Sequence, residues 1–135
     1  MSDEKALVQR AYKAFQRGDI AAVLDSLSDG IVWENPSVVG APYGGRVVGK
    51  AAVAEFFRKL DEALEFEHFE PREFIGEGDR VVAIIGHRGR VRATGRTAEM
   101  DLIHIFTVHD GKVTQFLEFF DTAIAERAFA HSASA

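Results

Sequence analysis

Glu99-Met100-Asp101-Leu102-Ile103-His104-Ile105-Phe106-Thr107-Val108, then His109-Asp110-Gly111-Lys112, then Val113-Thr114-Gln115-Phe116-Leu117-Glu118-Phe119-Phe120-Asp121-Thr122 is the stretch on which the fold turns. Two β-branched and aromatic runs flank a tight polar break containing Gly111, which predicts an antiparallel hairpin. Side chains alternate along a strand, so Leu102, His104, Phe106 and Val108 share one face, and Phe116, Glu118 and Phe120 share another. If both sets point inward, His104 and Glu118 become near cross-strand neighbours among large apolar groups. A buried ionisable group is costly unless it is paired. Both faces of Phe116–Phe120 are apolar, however, so alternation alone leaves open whether Glu118 or the Leu117/Phe119 pair faces the core. His104 has the same two readings, a reacting group or a satisfied core histidine.

Upstream, Leu7, Ala11, Ala14 and Phe15 recur at helical spacing over Asp3–Arg17, with Val8 and Tyr12 widening the stripe. Ser2 or Asp3 can cap this helix. Gly18 ends it, and Asp19 caps a second one through Leu27. Ser28-Asp29-Gly30 reads as a turn before a short strand, Ile31–Asn35. Pro36–Val48 holds Pro36, Gly40, Pro42, Gly44 and Gly45, and reads as one irregular segment packing over a pocket, with Tyr43 as its gate. Gly49-Lys50 opens a third helix through Leu64, with Val53, Phe56, Phe57, Leu60 and Leu64 on its apolar side.

Phe66–Gly76 is an aromatic strand in which Pro71 predicts an edge or a bulge. Arg80–Thr94 is a long strand with Val81, Ala83, Ile85, His87, Gly89 and Val91 on one face. After the hairpin, Ala123–Phe129 suits a short helix, and 131–135 a frayed tail. Helices followed by a run of strands predict an α+β domain, with helices on one face of a curved antiparallel sheet. Such a sheet, strongly bent and capped by helices, encloses a cavity.

The chain has 135 residues, expected to form one domain over 1–135, and 47% of them are apolar. Eleven Phe against two Tyr and one Trp predict an aromatic interior. With no Cys, disulfides and thiolate metal sites are excluded. No apolar run approaches a membrane span, and the start lacks the order of a signal peptide, so no membrane association and a cytoplasmic location are expected. A net charge of −5 argues against a nucleic-acid partner. Arg88, Arg90, Arg92 and Arg96 are read as a solvated face. His68, His109 and His131 are read as solvated too. The spacing of His87, His104 and Glu118 lacks a short ligand motif, so neither a metal nor another cofactor is expected. There is no Gly-rich phosphate loop and no nucleophile elbow.

The order of several short signals resembles the SnoaL-like branch of the nuclear transport factor 2 superfamily over almost the whole chain. They are Gly18-Asp19, Trp33-Glu34-Asn35-Pro36, Gly49-Lys50-Ala51-Ala52-Val53, Asp110-Gly111-Lys112 and Glu118-Phe119-Phe120-Asp121. The resemblance implies a cone built from a curved sheet around three N-terminal helices, with an internal apolar pocket. It implies no single reaction, because the superfamily hosts enzymes, binders and transport proteins.

In ketosteroid isomerases a catalytic Asp stands before a Pro on the first strand. Here that position is Asn35, the second acid falls at His104, and the donor Tyr has no clean match, with Tyr12 one residue out of register. That reaction is not expected. Limonene-epoxide hydrolases resemble the chain in Trp33, Asn35 and Glu118, but their second Asp falls at His87 and their Arg at Ile85. SnoaL-type cyclases carry acids at the positions of His104 and Glu118.

The resemblance favours an inward Glu118, whose pKa would then be raised by apolar surroundings. The expected catalytic set is Glu118, His104 and Asn35. The expected substrate-binding set is Trp33, Tyr43, Phe57, His87, Leu102, Phe106, Phe116 and Phe120. The leading expectation is cofactor-free acid/base chemistry on a small, largely apolar molecule: isomerisation, cyclisation, dehydration or epoxide hydrolysis. The alternatives are a non-catalytic binding domain and a protein-interaction module whose cone is merely packed. A homodimer through the outer sheet face is expected from the relatives and from Ile103 and Ile105.

Overall fold

The computed structural model describes residues 3–130. Four helices, α1 (Asp3–Gln16), α2 (Ile20–Asp25), α3 (Lys50–Ala63) and α4 (Thr122–Phe129), accompany six strands. The strands are β1 (Leu27–Asn35), β2 (Gly45–Val48), β3 (Leu64–Glu77), β4 (Arg80–Val91), β5 (Thr97–His109) and β6 (Lys112–Phe119). They form one curved, unclosed sheet in the order β2-β1-β6-β5-β4-β3. The expected sheet was antiparallel throughout; β1 and β6 instead run parallel, while all other neighbours are antiparallel.

Local chemistry sets most boundaries. Asp3 and Glu4 occupy the first turn of α1 and Lys13 its last, each complementing the helix dipole. Gly18, at φ +79°, ends the helix in a left-handed conformation that glycine adopts without strain. Asp19 then accepts the Ala22 N–H at 3.0 Å and starts α2. Asp110 and Gly111, at φ 50° and 74°, make the two-residue turn that joins β5 to β6. Asp121 caps α4 by accepting the Ala123 and Ile124 N–H groups. The cap offered by Ser2, and the expectations for His131 and the tail, lie outside the described residues.

Helix α2 stops at Asp25, short of the expected Leu27, which opens β1 instead. Two further segments differ from expectation. Ser28-Asp29-Gly30 is not a turn but part of β1. A register shift between Leu27 and Val32 lets the strand absorb these turn-prone residues while Leu27 still pairs with Val113. The segment after Asn35 is not irregular throughout, because its last four residues are β2, running from Asn35↔Gly45 to Val32↔Val48. Gly44 makes this return possible: at φ +128°, a Cβ there would lie 2.7 Å from the Pro36 carbonyl. As expected, Pro71 lies on the edge strand, beside an irregularity in the β3–β4 register. The arginine face is exposed at Arg88 and Arg92 and half-buried at Arg90 and Arg96, and carboxylates partly neutralise it: Arg88 meets Glu67 at 2.7 Å, and Arg90 meets Glu65 at 3.7 Å.

The helices pack on the concave face of the sheet. Val8, Tyr12 and Ala14 of α1 and Val53, Phe56 and Phe57 of α3 are buried there, against Ile31, Trp33, Val81, Ile85, Leu102, Phe106 and Phe116. None of the helices is long and apolar enough to cross a membrane.

Candidate functional site

Successive inward rungs of the sheet build the site. Trp33, Phe116, Phe106 and Val81 lie side by side across β1, β6, β5 and β4. One inward step along, Glu118 pairs with His104, and His104 with Ala83. A further step reaches Leu102 and Ile85, and the next reaches Met100, His87 and Phe69. Aromatic stacking fills the lower rung, with the Trp33 and Phe116 rings 3.8 Å apart and nearly parallel.

Glu118 points inward and Phe119 outward, the latter 54% exposed. The Glu118 side chain is only 13% exposed, and its Oε2 lies 2.7 Å from His104 Nε2. Its Oε1 accepts a hydrogen bond from Asn35 Nδ2 at 2.8 Å. On the other side of the imidazole, His104 Nδ1 lies 2.6 Å from the Tyr12 hydroxyl. The result is an unbroken polar chain, Tyr12–His104–Glu118–Asn35, through an aromatic interior.

The predicted rise in the Glu118 pKa is corrected by this geometry. Burial does push the carboxyl up, but the His104 hydrogen bond and charge, with the Asn35 bond, hold it below its ordinary range. Glu118 is therefore ionised near neutral pH. Burial and the Glu118 charge together push the Tyr12 hydroxyl well up, so Tyr12 keeps its proton. The same two causes raise Tyr43. When neutral His104 donates Nε2–H to Glu118, Nδ1 accepts from Tyr12; when the imidazole carries both protons, the Tyr12 oxygen accepts instead.

The sheet and helices enclose a cavity of about 120 Å³. All three expected catalytic residues line it, as do Trp33, Tyr43, Phe57, His87, Leu102, Phe106, Phe116 and Phe120. Tyr43 also lines a cleft of about 440 Å³ under the loop after Asn35, and so stands between that cleft and the cavity. His87 is 6% exposed and its Nδ1 is buried without a partner, as is Trp33 Nε1. Burial pulls the His87 pKa down to about 4, keeping the ring neutral. Gly89 makes room for that ring, since a Cβ there would lie 2.9 Å from His87 Nε2. His68 and His109 are exposed, as expected. Among the described residues, no three metal-ligating side chains come together as an ion site.

Sequence reasoning gave no role to Tyr12, Phe15, Phe69, Gly89 or Met100, all of which line the cavity. Tyr12 carried one available signal, a hydroxyl on the apolar stripe of α1, where a buried O–H needs a partner.

A six-stranded curved sheet closed by helices over an internal cavity is the cone of the nuclear transport factor 2-like class of proteins. The SnoaL-like domain family matches residues 8–116, and the chain belongs to that family. An NTF2-like protein of unknown function from Burkholderia pseudomallei superposes with TM-score 0.87 at 30% identity, over 96% of this chain and 99% of that one. An NTF2-like protein from Burkholderia xenovorans gives 0.86 at 34% identity, over 95% and 96%. TerC, co-crystallised with polyporic acid, gives 0.84 at 30% identity, over 95% and 98%. No curated protein matches the chain significantly.

Proposed function

We propose that the protein is a cofactor-free acid/base enzyme that acts on a small, largely apolar molecule held inside the cone. The observation that carries this reading is the Tyr12–His104–Glu118–Asn35 chain on the wall of an apolar cavity. Ionised Glu118 is a base poised for use at neutral pH. A proton taken by Glu118 from a carbon acid or a bound water is shared with His104 and returned to another atom of the same ligand. Asn35 orients the carboxylate and the third reactant. Isomerisation, cyclisation, dehydration and epoxide hydrolysis all fit this cycle. The solved relative crystallised with polyporic acid supports a small-molecule ligand. The unfilled cavity argues against a cone that is merely packed.

One observation favours a second reading. Both Glu118 oxygens already have partners, which suits a group that orients a ligand without reacting. Mass spectrometry of molecules that co-purify with the protein, followed by incubation with each, separates the two. An isomeric, cyclised, dehydrated or hydrated product supports the enzyme; release of the molecule unchanged supports the binder.

The assembly belongs to the same proposal. Ile75, Val82, Ile105 and Leu117 lie side by side across the outer face of β3, β4, β5 and β6, and Ile84, Ile103 and Phe119 form the neighbouring row. Such a patch suits a second copy of the chain, burying about 1,600 Å² in total. Light scattering at high micromolar concentration tests this: a dimer is expected, and a monomer removes the idea.

A further inference from the structure

The cavity has a second polar end that the acid/base chain does not use. His87 lies four residues along β5 from the level of His104, opposite Met100, so it stands two inward rungs away from Glu118. Its Nδ1 is buried without a partner, as is Trp33 Nε1 on the other side of the Glu118–His104 rung. Leaving such groups unsatisfied is costly, and native interiors rarely do so without a ligand or water to complete them. An indole N–H can only donate, so its partner has to be an acceptor. Gly89, which also lines the cavity, lets the His87 ring lie against the strand backbone. Among the described residues lining the cavity there is no lysine or arginine, while Glu118 already places an anion in it. An anionic ligand would meet repulsion with no counter-charge. A cavity of about 120 Å³ is on the scale of one that holds benzene.

We propose that the ligand is an uncharged, single-ring molecule bearing a hydroxyl or carbonyl oxygen away from its reacting end, and that His87 holds that oxygen. This rests on the reading of the cavity as a ligand site, and it makes His87 a specificity residue rather than a proton carrier. The neutral state of the buried ring lets it donate or accept as the ligand requires.

Three one-ring probes at neutral pH test it: toluene, phenol and benzoate, titrated against the full chain with its histidine side chains labelled with nitrogen-15. The His87 ring nitrogens are expected to shift with phenol and not with toluene. Phenol is expected to bind on the order of tenfold more tightly than toluene, and benzoate far more weakly than phenol. In H87F the phenol preference is expected to vanish while toluene still binds. A His87 nitrogen that ignores phenol, a preference that survives in H87F, or benzoate binding as tightly as phenol each overturns the proposal. The wild-type shift stands even if H87F fails to fold. The same titrations in E118Q keep the test separate from catalysis: the preference persists there if His87 sets it, whether or not the protein turns anything over.

Discussion

Glu118 Oε2 and His104 Nε2 face each other at 2.7 Å across one rung of the β5–β6 hairpin. Fourteen residues separate them in sequence, and the Asp110-Gly111 turn together with a register shift between Thr107 and Val108 makes them partners; the turn register alone would set Leu117 opposite His104. A one-residue slip would send Glu118 to the outer face and bring Phe119 inward. The hairpin turn and the register shift that follows it are therefore as much a part of the site as the two side chains.

Tyr12 anchors the far nitrogen of His104. Y12F keeps the ring that packs against Phe74 and Phe106 and removes only the hydroxyl. His104 Nδ1 is then left buried without its partner. A loss of about 1 kcal/mol in stability and a fall in turnover on the order of tenfold are expected. Denaturant melts and nitrogen-15 spectra of the imidazole check this; an unchanged His104 nitrogen spectrum would count against the relay.

Stability should fall as pH drops, in two windows. His87 has its folded pKa depressed to about 4 from an ordinary 6.5, so the unfolded chain binds more protons between these values. That difference stabilises the fold above pH 6.5 and is lost as pH falls towards 4, by roughly 3 kcal/mol at most. Glu118, also held low, adds a loss as pH falls below its ordinary 4.5. Melting of wild type and H87F from pH 7 to 4 checks the first window: the wild-type decline should be steeper. Parallel curves would remove His87 as its source.

Gly89 and His87 share one space. G89A puts a methyl 2.9 Å from Nε2, so the ring has to shift, at about 1–3 kcal/mol. Adding H87A should recover much of that loss. A double-mutant cycle measures the coupling; additive losses would mean that the two sites are independent.

Much of this was legible in the sequence because alternation and turn chemistry are local. The hairpin, the inward faces of β4 and β5 and the apolar stripes of α1 and α3 follow from periodicity, and the resemblance decided for an inward Glu118. Tyr12 was not legible as a site residue: its partner is 92 positions away, and only the packing of α1 into the sheet brings the two together. The Glu118 pKa was misjudged for a related reason. Surrounding phenylalanines are visible in the sequence, whereas the hydrogen bonds and histidine charges that together outweigh burial depend on tertiary register. Strand β2 was hidden because its four residues gain their order from pairing with β1, not from a pattern of their own.

The central claim is that Glu118 is the base. The most direct measurement is turnover of the co-purifying molecule by E118Q, which keeps the side-chain shape and can still bond to Asn35 and His104. The account predicts a fall of ~10²–10⁴-fold, with the fold and the binding of the molecule retained. Turnover by folded E118Q equal to that of the wild type would contradict it.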